Sequence, residues 1–328
     1  MLLLKCSYII PIDLKVCERG HESIVLLCPL FRSIYMNNRK LTSLLLTVLS
    51  ISIFSIVGAN SIDDSVTGDI RKEAYVNGVI YQESAEVKGL QKQAYTLATL
   101  QLDRILSQKK DINKPLAIIS DIDQTIMDDT NYQAERLLSP GAWDNGPWDG
   151  YYKAIGTEAN VALPGAVDFF NDAKSKGVSI FYITNRDHDT VELTVAELAH
   201  AGLPYADKEH VLVMDPDGSS NKDSRRAKVL ENYDVVMYLG DNIGDFTSAF
   251  KREYGAIKRT ELATAPEYIN NWGTIWIVLP NSTYGDYVGA VWSNEKNANR
   301  IQASKDLLEY YRYTNPRWKK WYGGKIKE

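Results

Sequence analysis

Five short apolar runs separated by helical patterns constrain the fold of this chain more than any other sequence feature. The runs are LAIIS, VSIFYIT, HVLVM, DVVMYLG and TIWIVLP, and helical stretches such as AVDFFNDAKSKG and TVELTVAELAHAG lie between several of them, each closed by a glycine. Strands that alternate with helices form parallel sheets with helices on both faces. The sequence therefore predicts an α/β fold with a doubly wound parallel sheet.

A long helix is predicted over residues 84–106, before the first of these strands. Its apolar positions recur at every fourth residue and define one stripe, which we expect to be buried. These positions are Leu90, Ala94, Ala98, Leu102 and Leu106. Residues 60–68 are polar and are interpreted as a flexible lead-in to the folded domain.

The first 59 residues are interpreted as a leader that contains a secretory signal peptide at residues 36–59. The segment that starts at Met36 has a basic beginning, a Leu/Ile/Val-rich middle and the small-residue end Val-Gly-Ala. We expect cleavage after Ala59 and a periplasmic or secreted protein, with an uncleaved anchor as the alternative. Met36 is the expected translational start, and whether residues 1–35 are translated is left open.

The positions of the cysteines and the charge restrict the chemistry of the processed chain. All three cysteines, Cys6, Cys17 and Cys28, precede the signal peptide, so the processed chain has no disulfide and no thiolate ligand or nucleophile. Residues 60–328 hold 31 Lys and Arg against 39 Asp and Glu, a net charge of −8. Such a surface disfavours nucleic acid as a partner.

Two aspartates follow the first predicted strand and are separated by one residue. Asp121 and Asp123 come directly after LAIIS, where open α/β sheets place their ligand-handling residues. With the two-residue period of an extended chain their side chains leave the backbone on the same side. Two carboxylates in one crevice repel each other unless a cation or a shared proton intervenes. A solvated loop with an Asx turn is the alternative reading of this pair.

Polar residues that complement this pair end three later segments. Thr184 and Asn185 follow the second strand, and their hydroxyl and amide groups can donate to a phosphoryl oxygen. Lys222 can neutralise a phosphate or a carboxylate, and Asp241 and Asp245 follow the fourth strand. Ordinary sheet packing does not account for this series of polar residues at successive strand ends, so the series favours a functional crevice over a loop turn.

The segment from residue 128 to residue 164 interrupts the alternation of strands and helices. No strand is predicted there, and the insertion is placed to fold over the crevice as a small, mainly helical cap. Its aromatic residues could stack on a planar ligand or only pack the cap onto the core. They include Tyr132, Trp143, Trp148, Tyr151 and Tyr152.

The series of motifs resembles the haloacid dehalogenase (HAD) superfamily of phosphotransferases, whose four motifs match DIDQT, TNR, Lys222 and GDNIGD. The segments QESAEVKGLQKQAY, ALPGAVDF and IVLPNSTYGDYVGAVW are similar to the class C acid phosphatases, the outer-membrane lipoprotein e family of periplasmic 5'-nucleotidases. The resemblance covers roughly residues 75–292. It implies a HAD-like, Rossmann-like phosphatase domain over residues 60–328. Lipid-anchored members have a cysteine at the cleavage site, and because this signal has none, membrane association is not expected.

The resemblance also implies a Mg²⁺-dependent mechanism. Asp121 is then the nucleophile that becomes a phosphoaspartate, and Asp123 is the general acid that later activates water. Mg²⁺ is bound by the Asp121 carboxylate, the Asp123 backbone carbonyl and the Asp241 carboxylate, while Asp245 lies outside the direct ligands.

The substrate contacts are also assigned from the resemblance. Thr184, Asn185 and Lys222 bind the phosphoryl group and offset its charge. Tyr284 in NSTYGDY matches a base-stacking tyrosine, which implies a nucleoside monophosphate substrate. Trp148 and Tyr151 are both candidates for the cap residue on the other side of the base.

Other functions are compatible with parts of this pattern. A broad-specificity phosphatase or phosphotransferase acting on non-nucleotide monoesters shares every catalytic residue. A dehalogenase is disfavoured by Asp123, because halide displacement needs no acid, and a histidine acid phosphatase is disfavoured by the lack of an Arg-His-Gly motif. A secreted nucleotide-binding protein without turnover is the alternative from a different class. The expected partner is a small phosphomonoester, and the formation of a homodimer is left open.

Overall fold

The computed structural model describes residues 70–108, 113–138, 156–158 and 160–292, together with residues 150–151, 153 and short pieces between 302 and 311. The leader, its signal peptide and the lead-in at residues 60–68 lie outside the described residues. So do Trp143, Trp148 and Tyr152, and the sequence interpretation of all these segments stays a prediction.

The described helices and strands alternate over most of the chain. The helices are α1 (Ile70–Gln82), α2 (Ala85–Gln108), α3 (Thr130–Leu138), α4 (Ala166–Ser175), α5 (Val191–His200), α6 (Asp223–Asn232), α7 (Gly255–Ala263) and α8 (Asp286–Trp292). The strands are β1 (Leu116–Ser120), β2 (Met127–Asp128), β3 (Val161–Ala162), β4 (Ser179–Ile183), β5 (Val211–Leu212), β6 (Asp234–Gly240) and β7 (Trp276–Val278).

The five predicted apolar runs form one parallel sheet with the strand order β5-β4-β1-β6-β7. The predicted α/β fold with a doubly wound parallel sheet is therefore confirmed. From β1 the chain proceeds outward to β4 and β5 and then crosses back to β6 and β7 on the other side. The direction of winding thus reverses between β1 and β6, and the carboxyl ends of these two strands border the crevice where α/β proteins bind ligands.

Strand β1 is apolar throughout because both faces of the sheet are covered. Its five residues are all buried. Ile118 belongs to a large apolar cluster with residues of α2 and α4, whereas Ala117 and Ile119 pack on the opposite face with Val229 of α6. Successive residues of a strand point to opposite faces, so a strand between two helical layers needs apolar residues at every position.

The long predicted helix is confirmed as α2, but one position of its predicted stripe is wrong. Ala94, Ala98 and Leu102 are buried as expected, and Leu106 packs partly buried against the core, whereas Leu90 is 42% exposed. A step of four residues overshoots a full helical turn by about 40°, so a strict four-residue spacing drifts around the helix. The buried face instead follows the 3.6-residue period and consists of Val87, Gln91, Ala94, Tyr95, Ala98 and Leu102.

The segment after β1 contains strands that the sequence did not predict. Met127 and Asp128 of β2 pair antiparallel with Val161 and Ala162 of β3. Two-residue strands are too short to show an alternating pattern, which explains why the sequence gave no signal for them. This small ladder joins the two ends of the predicted cap insertion, whose described parts also include α3 and a 3₁₀ turn at Gly156–Glu158. That the insertion folds over the crevice stays a prediction.

Candidate active site

The crevice is built where the loops after β1 and β6 meet. The backbone N–H of Asp121 donates to the carbonyl of Leu239 in β6 at 3.0 Å, which connects the loop after β1 to the neighbouring strand. Asp121 and Asp123 are both buried. The structure therefore places both predicted aspartates inside the crevice and not on a solvated loop.

Three carboxylates converge in this crevice. Asp121, Asp241 and Asp245 each offer one oxygen, and these oxygens lie within 4.8 Å of one another. A Cβ atom on Gly240 would lie 2.4 Å from the Asp245 side chain, so only glycine allows Asp245 to approach the end of β6 this closely. Asp245, expected outside the direct metal ligands, is thus as close to the cluster as the other two.

Lys222 is the cation that reaches this cluster. Its ammonium group donates to Oδ1 of Asp121 at 2.5 Å and to Oδ1 of Asp245 at 2.7 Å, and it is buried. The first of these hydrogen bonds places Lys222 beside Asp121, although 101 residues separate them in the chain. One lysine does not balance three carboxylates, so the cluster keeps an excess of negative charge.

The pKa values of the buried carboxylates reflect this unbalanced charge. Burial raises the pKa of Asp121 to about 6, with Asp245 and Asp123 adding to the effect and Lys222 opposing it. Burial, together with Asp245 and Asp121, raises the pKa of Asp241 well above its usual range. Clustered carboxylate oxygens with unbalanced charge are a suitable donor set for a hard divalent cation, so these residues fit a metal of that kind.

Asp123 faces a different set of partners. Nη2 of Arg186 donates to its Oδ1 at 2.7 Å, Nε donates to its Oδ2 at 3.1 Å, and the Thr184 hydroxyl lies 3.4 Å from Oδ2. The third nitrogen of Arg186, Nη1, pairs with Glu197 of α5 at 2.5 Å. Asp123 is therefore held by a buried guanidinium that also binds a second carboxylate.

Arg186 and Glu197 were not among the site residues predicted from the sequence. A signal existed for Arg186, because it directly follows Thr184 and Asn185 in TNR at the end of β4. Glu197 gave a weaker signal, since one acidic residue within an amphipathic helix is usually solvent-exposed. In the structure Glu197 is buried, and burial raises its pKa although Arg186 opposes the shift.

The predicted phosphoryl-binding residues lie at the same edge of the sheet. Thr184 is fully buried beside Asp123, and Lys222 contacts Asp121. Asn185 is exposed, and its side-chain oxygen accepts a hydrogen bond from Nη2 of Arg225 at 2.7 Å. The Thr184 hydroxyl and the Lys222 ammonium group thus contact the carboxylate pair, whereas the Asn185 amide contacts Arg225, and their binding of a phosphoryl group stays a prediction.

The loop after β7 carries Tyr284 and approaches the acidic cluster. Nδ2 of Asn281 donates to Oδ2 of Asp241 at 2.7 Å. Burial raises the pKa of the Tyr284 phenol well above its usual range, and Asp129 and Asp241 contribute to this rise. Tyr284 therefore belongs to a loop that contacts the acidic cluster through Asn281, and its role in stacking on a base stays a prediction.

Of the two cap candidates, Tyr151 is described. Its ring lies 5.1 Å from that of Tyr132, and its hydroxyl is 3.4 Å from Oδ1 of Asn160. Asn160 in turn donates to Glu197 at 3.0 Å, which connects Tyr151 through side chains to the Arg186 group. Trp148 lies outside the described residues, so the structure does not select between the two.

Helix α1 supports the site and was missed by the sequence analysis. Nε2 of Gln82 donates to Oε1 of Gln124 and to the Pro280 carbonyl, both at 2.9 Å, and Oε1 of Gln82 accepts from the backbone of Ser282 at 2.9 Å. Gln124 is buried and has a φ of 54°, which is unusual for a residue other than glycine. One glutamine of α1 therefore holds both the loop after β1 and the loop that carries Tyr284.

Comparison with known proteins agrees with this geometry. A family model described as "HAD superfamily, subfamily IIIB (Acid phosphatase)" matches residues 40–287. Two solved structures of the class C acid phosphatase from Bacillus anthracis, one with tungstate bound, are 30% identical to this chain with TM-scores of 0.64. The match covers 72% of this chain and 96% or 97% of the relatives.

The chain belongs to the HAD subfamily IIIB acid phosphatases. The family predicted from the motifs is thereby confirmed, and so is the prediction of an enzyme that hydrolyses phosphate monoesters. The choice of metal, the substrate and the cellular location stay predictions.

Proposed function

We propose that this protein is a Mg²⁺-dependent acid phosphatase that hydrolyses nucleoside 5'-monophosphates through a phosphoaspartate on Asp121. The observation that carries the proposal is the meeting of Asp121 with Asp241, Asp245 and Lys222 beside the separately held Asp123. These two environments provide one carboxylate for attack and another for proton transfer.

Asp121 is proposed to attack the phosphorus atom while the bond to the leaving oxygen breaks. Lys222 favours the ionised form of Asp121 and offsets the charge on the phosphoryl oxygens, which Thr184 and Asn185 also contact. Asp121, Asp241 and Asp245 would hold Mg²⁺, with the Asp123 backbone carbonyl added by the family resemblance. The ion supplies positive charge and orients a phosphate oxygen when it is bound.

Asp123 is proposed to protonate the leaving alkoxide and then to take a proton from the water that releases Asp121. Arg186 holds its carboxylate through two nitrogens, which fixes the position of the proton carrier.

A nucleotide substrate is supported by the aromatic residues around the site. Tyr284 belongs to the loop whose Asn281 binds Asp241, and Tyr151 is connected to the Asp123 region through Asn160 and Glu197. Stacking of a base on an aromatic side chain contributes about 1–3 kcal/mol to the binding free energy for each ring. A broad-specificity phosphatase without base recognition is the alternative within the same chemistry.

The test compares p-nitrophenyl phosphate with AMP, with Mg²⁺ and with EDTA. We expect turnover of both that EDTA abolishes, and we expect Tyr284→Ala to raise KM for AMP roughly 5- to 150-fold while leaving p-nitrophenyl phosphate nearly unchanged. Tyr254→Ala, at an exposed tyrosine, is the matched control. An equal increase in KM for both substrates would contradict the proposal of a nucleotide substrate. Absence of turnover with every divalent metal would overturn the enzyme assignment.

A further inference from the structure

Two adjacent arginines at the start of α6 have no part in the mechanism above, although both are buried. Arg225 is 1% exposed and Arg226 is 6% exposed. They follow Lys222, which lies at the beginning of the same helix and whose carbonyl accepts from the Arg226 N–H at 2.9 Å. A buried guanidinium destabilises the fold unless its nitrogens are hydrogen-bonded, so the identity of its partners is informative.

Arg225 contacts the end of β4 and the loop that follows. Its Nη1 donates to the Thr184 carbonyl, and its Nη2 donates to Oδ1 of Asn185 at 2.7 Å. Nη2 also donates to the carbonyl of Asn221, the residue before Lys222, at 3.3 Å. Arg225 thus connects the proposed phosphoryl-binding residues of the second strand end with the segment that carries the phosphoryl-binding lysine.

Arg226 contacts the loop after β6 instead. Its Nη1 donates to the Gly244 carbonyl at 2.6 Å and to the Asp245 carbonyl at 3.0 Å, and its Nη2 pairs with Asp223. Gly244 and Asp245 belong to the 3₁₀ turn Ile243–Asp245, which directly follows the loop of Asp241. Arg226 therefore holds the backbone of the turn that brings Asp245 into the acidic cluster.

The strand order explains why neighbouring residues reach opposite sides of the site. Strands β4 and β6 flank β1 on its two sides, and the residues that each arginine contacts follow one of these two strands. Successive residues of an α-helix point about 100° apart, so one helix end can contact two loops that diverge. The beginning of α6 spans both of them.

We infer that Arg225 and Arg226 are positioning residues with separate tasks in the reaction proposed above, on which this inference rests. Arg225 fixes the phosphoryl-binding side, through the Thr184 backbone and the orientation of the Asn185 amide. Arg226 fixes the metal-binding side, through the turn that carries Asp245. Neither arginine contacts a reacting atom in this arrangement, so each acts through the groups it holds.

The experiment compares Arg225→Met and Arg226→Met in two binding measurements. Inhibition by inorganic phosphate at saturating Mg²⁺ reports on the phosphoryl side, and calorimetric binding of Mg²⁺ without phosphate reports on the metal side. We expect Arg225→Met to weaken phosphate binding about tenfold or more with Mg²⁺ binding nearly unchanged, and Arg226→Met to show the reverse pattern. Lys228→Met removes the same charge from the exposed face of α6 and should change neither constant.

Equal shifts of both constants in both arginine variants, or no shift in either, would overturn the inference, because a general loss of helix stability or charge does not separate the two ligands. If a methionine variant fails to fold, Arg225→Lys and Arg226→Lys are measured in its place. Lysine keeps the positive charge but lacks the planar guanidinium group that binds two acceptors at once. We again expect weaker phosphate binding in the Arg225 variant and weaker Mg²⁺ binding in the Arg226 variant. If the wild-type protein hydrolyses phosphate monoesters but the variants do not separate phosphate binding from Mg²⁺ binding in this way, only this inference is contradicted. Wild-type protein that binds neither phosphate nor Mg²⁺ contradicts the proposed function as well.

Discussion

Asp121, the proposed nucleophile, is a buried carboxylate that lies close to the carboxylates of Asp241 and Asp245. Burial raises its pKa to about 6, and Asp245 and Asp123 add to that rise against the opposing effect of Lys222. A raised pKa means that the folded protein binds this proton more tightly than the unfolded protein does. Metal-free protein should therefore lose stability as the pH rises from the ordinary value of 3.8 through about 6. A divalent cation bound to the ionised carboxylates offsets this loss, because it compensates both for the burial of their charge and for their mutual repulsion.

The first prediction follows from this linkage. The rise in Tm that Mg²⁺ causes should grow between about pH 5 and about pH 7, because the ion competes with a proton at low pH and relieves repulsion at higher pH. Thermal unfolding in Mg²⁺ and in EDTA across this range measures it. Asp121→Asn lacks the titrating group and should show a smaller, flatter response. A Mg²⁺ effect that is constant or shrinks with rising pH would contradict the prediction.

Gln124 and Asp129 form a buried pair in the segment that follows Asp121 and Asp123, the proposed catalytic residues. Nε2 of Gln124 donates to Oδ1 of Asp129 and to the Thr130 hydroxyl, the latter at 3.0 Å, and all three residues are buried. Burial, together with Asp123, raises the pKa of Asp129 well above its usual range. A second carboxylate at position 124 would face Asp129 directly.

The second prediction exchanges the two functional groups of this pair. Gln124→Glu alone should lower the free energy of unfolding by about 3 kcal/mol, because Asp129 then loses its amide donor and faces a second buried carboxyl, so that the two must repel each other or bind an additional proton. Gln124→Glu with Asp129→Asn restores one amide and one carboxylate, and about half of the loss or more should return. Denaturant unfolding of both single variants and the double variant measures the coupling. Losses that simply add would show that the pair is not a unit.

Among the helices and strands, the sequence predicted those whose apolar residues are buried on one or both faces. The β-strands of the large sheet were identified because apolar runs covered on both faces leave a continuous signal, as in β1. Helix α1 was missed because part of its packing is polar: Gln82 and Gly78 contact the loop after β7, while Ile80 is 65% exposed. Contacts of that kind leave no apolar periodicity in the sequence.

The candidate site was predictable to a similar extent. Parallel strands bring their carboxyl ends together at one edge of the sheet. The sequence could therefore predict that Asp121, Thr184 and Asp241, which end or follow three of these strands, lie at the same edge. The pairing of Asp123 with Arg186 and of Arg186 with Glu197 could not be read in this way, since it depends on how α5 lies against the segment that follows β4. Helix orientation is a tertiary property that strand-end patterns do not contain.

The third prediction tests the contact between α1 and the substrate loop. A Cβ atom on Gly78 would lie 2.4 Å from the backbone oxygen of Ser282, whereas Gly89 in α2 has open space around it. Gly78→Ala should therefore lower the free energy of unfolding by about 1–3 kcal/mol and raise KM for AMP, because the displaced loop carries Tyr284. Gly89→Ala, the matched control, should stabilise by up to about 1 kcal/mol with KM unchanged. Equal behaviour of the two variants would show that α1 does not position the loop.

For the whole molecule, the sheet topology assembles the site from segments far apart in sequence. The reversal of winding between β1 and β6 brings together residues from Asp121 to Asp245, and Lys222 links the two loops by contacting both of these carboxylates. Within the described part of the chain, no helix combines the length and apolarity needed to span a bilayer. The leader at residues 1–59 lies outside that part of the chain.

The fourth prediction concerns that leader. We expect the mature protein to begin near Asn60, to carry no lipid and to be released by osmotic shock, because the signal has a small-residue cleavage site and no cysteine there. Amino-terminal sequencing and intact mass of the protein from its native host measure this. A protein that begins at Met1, or that has an acylated amino terminus, would contradict it.

The central claim is covalent catalysis by Asp121 with proton transfer by Asp123, and its most direct test is to trap the phosphoenzyme. Asp123→Asn should still be phosphorylated by p-nitrophenyl phosphate, whose leaving group needs little protonation, but should release phosphate on the order of 10²–10⁴ more slowly because no base activates water. Acid quenching of this variant with labelled substrate, followed by peptide mapping, should find the phosphate on Asp121 and none in Asp121→Asn. A label on another residue, or an undiminished label in Asp121→Asn, would contradict the account.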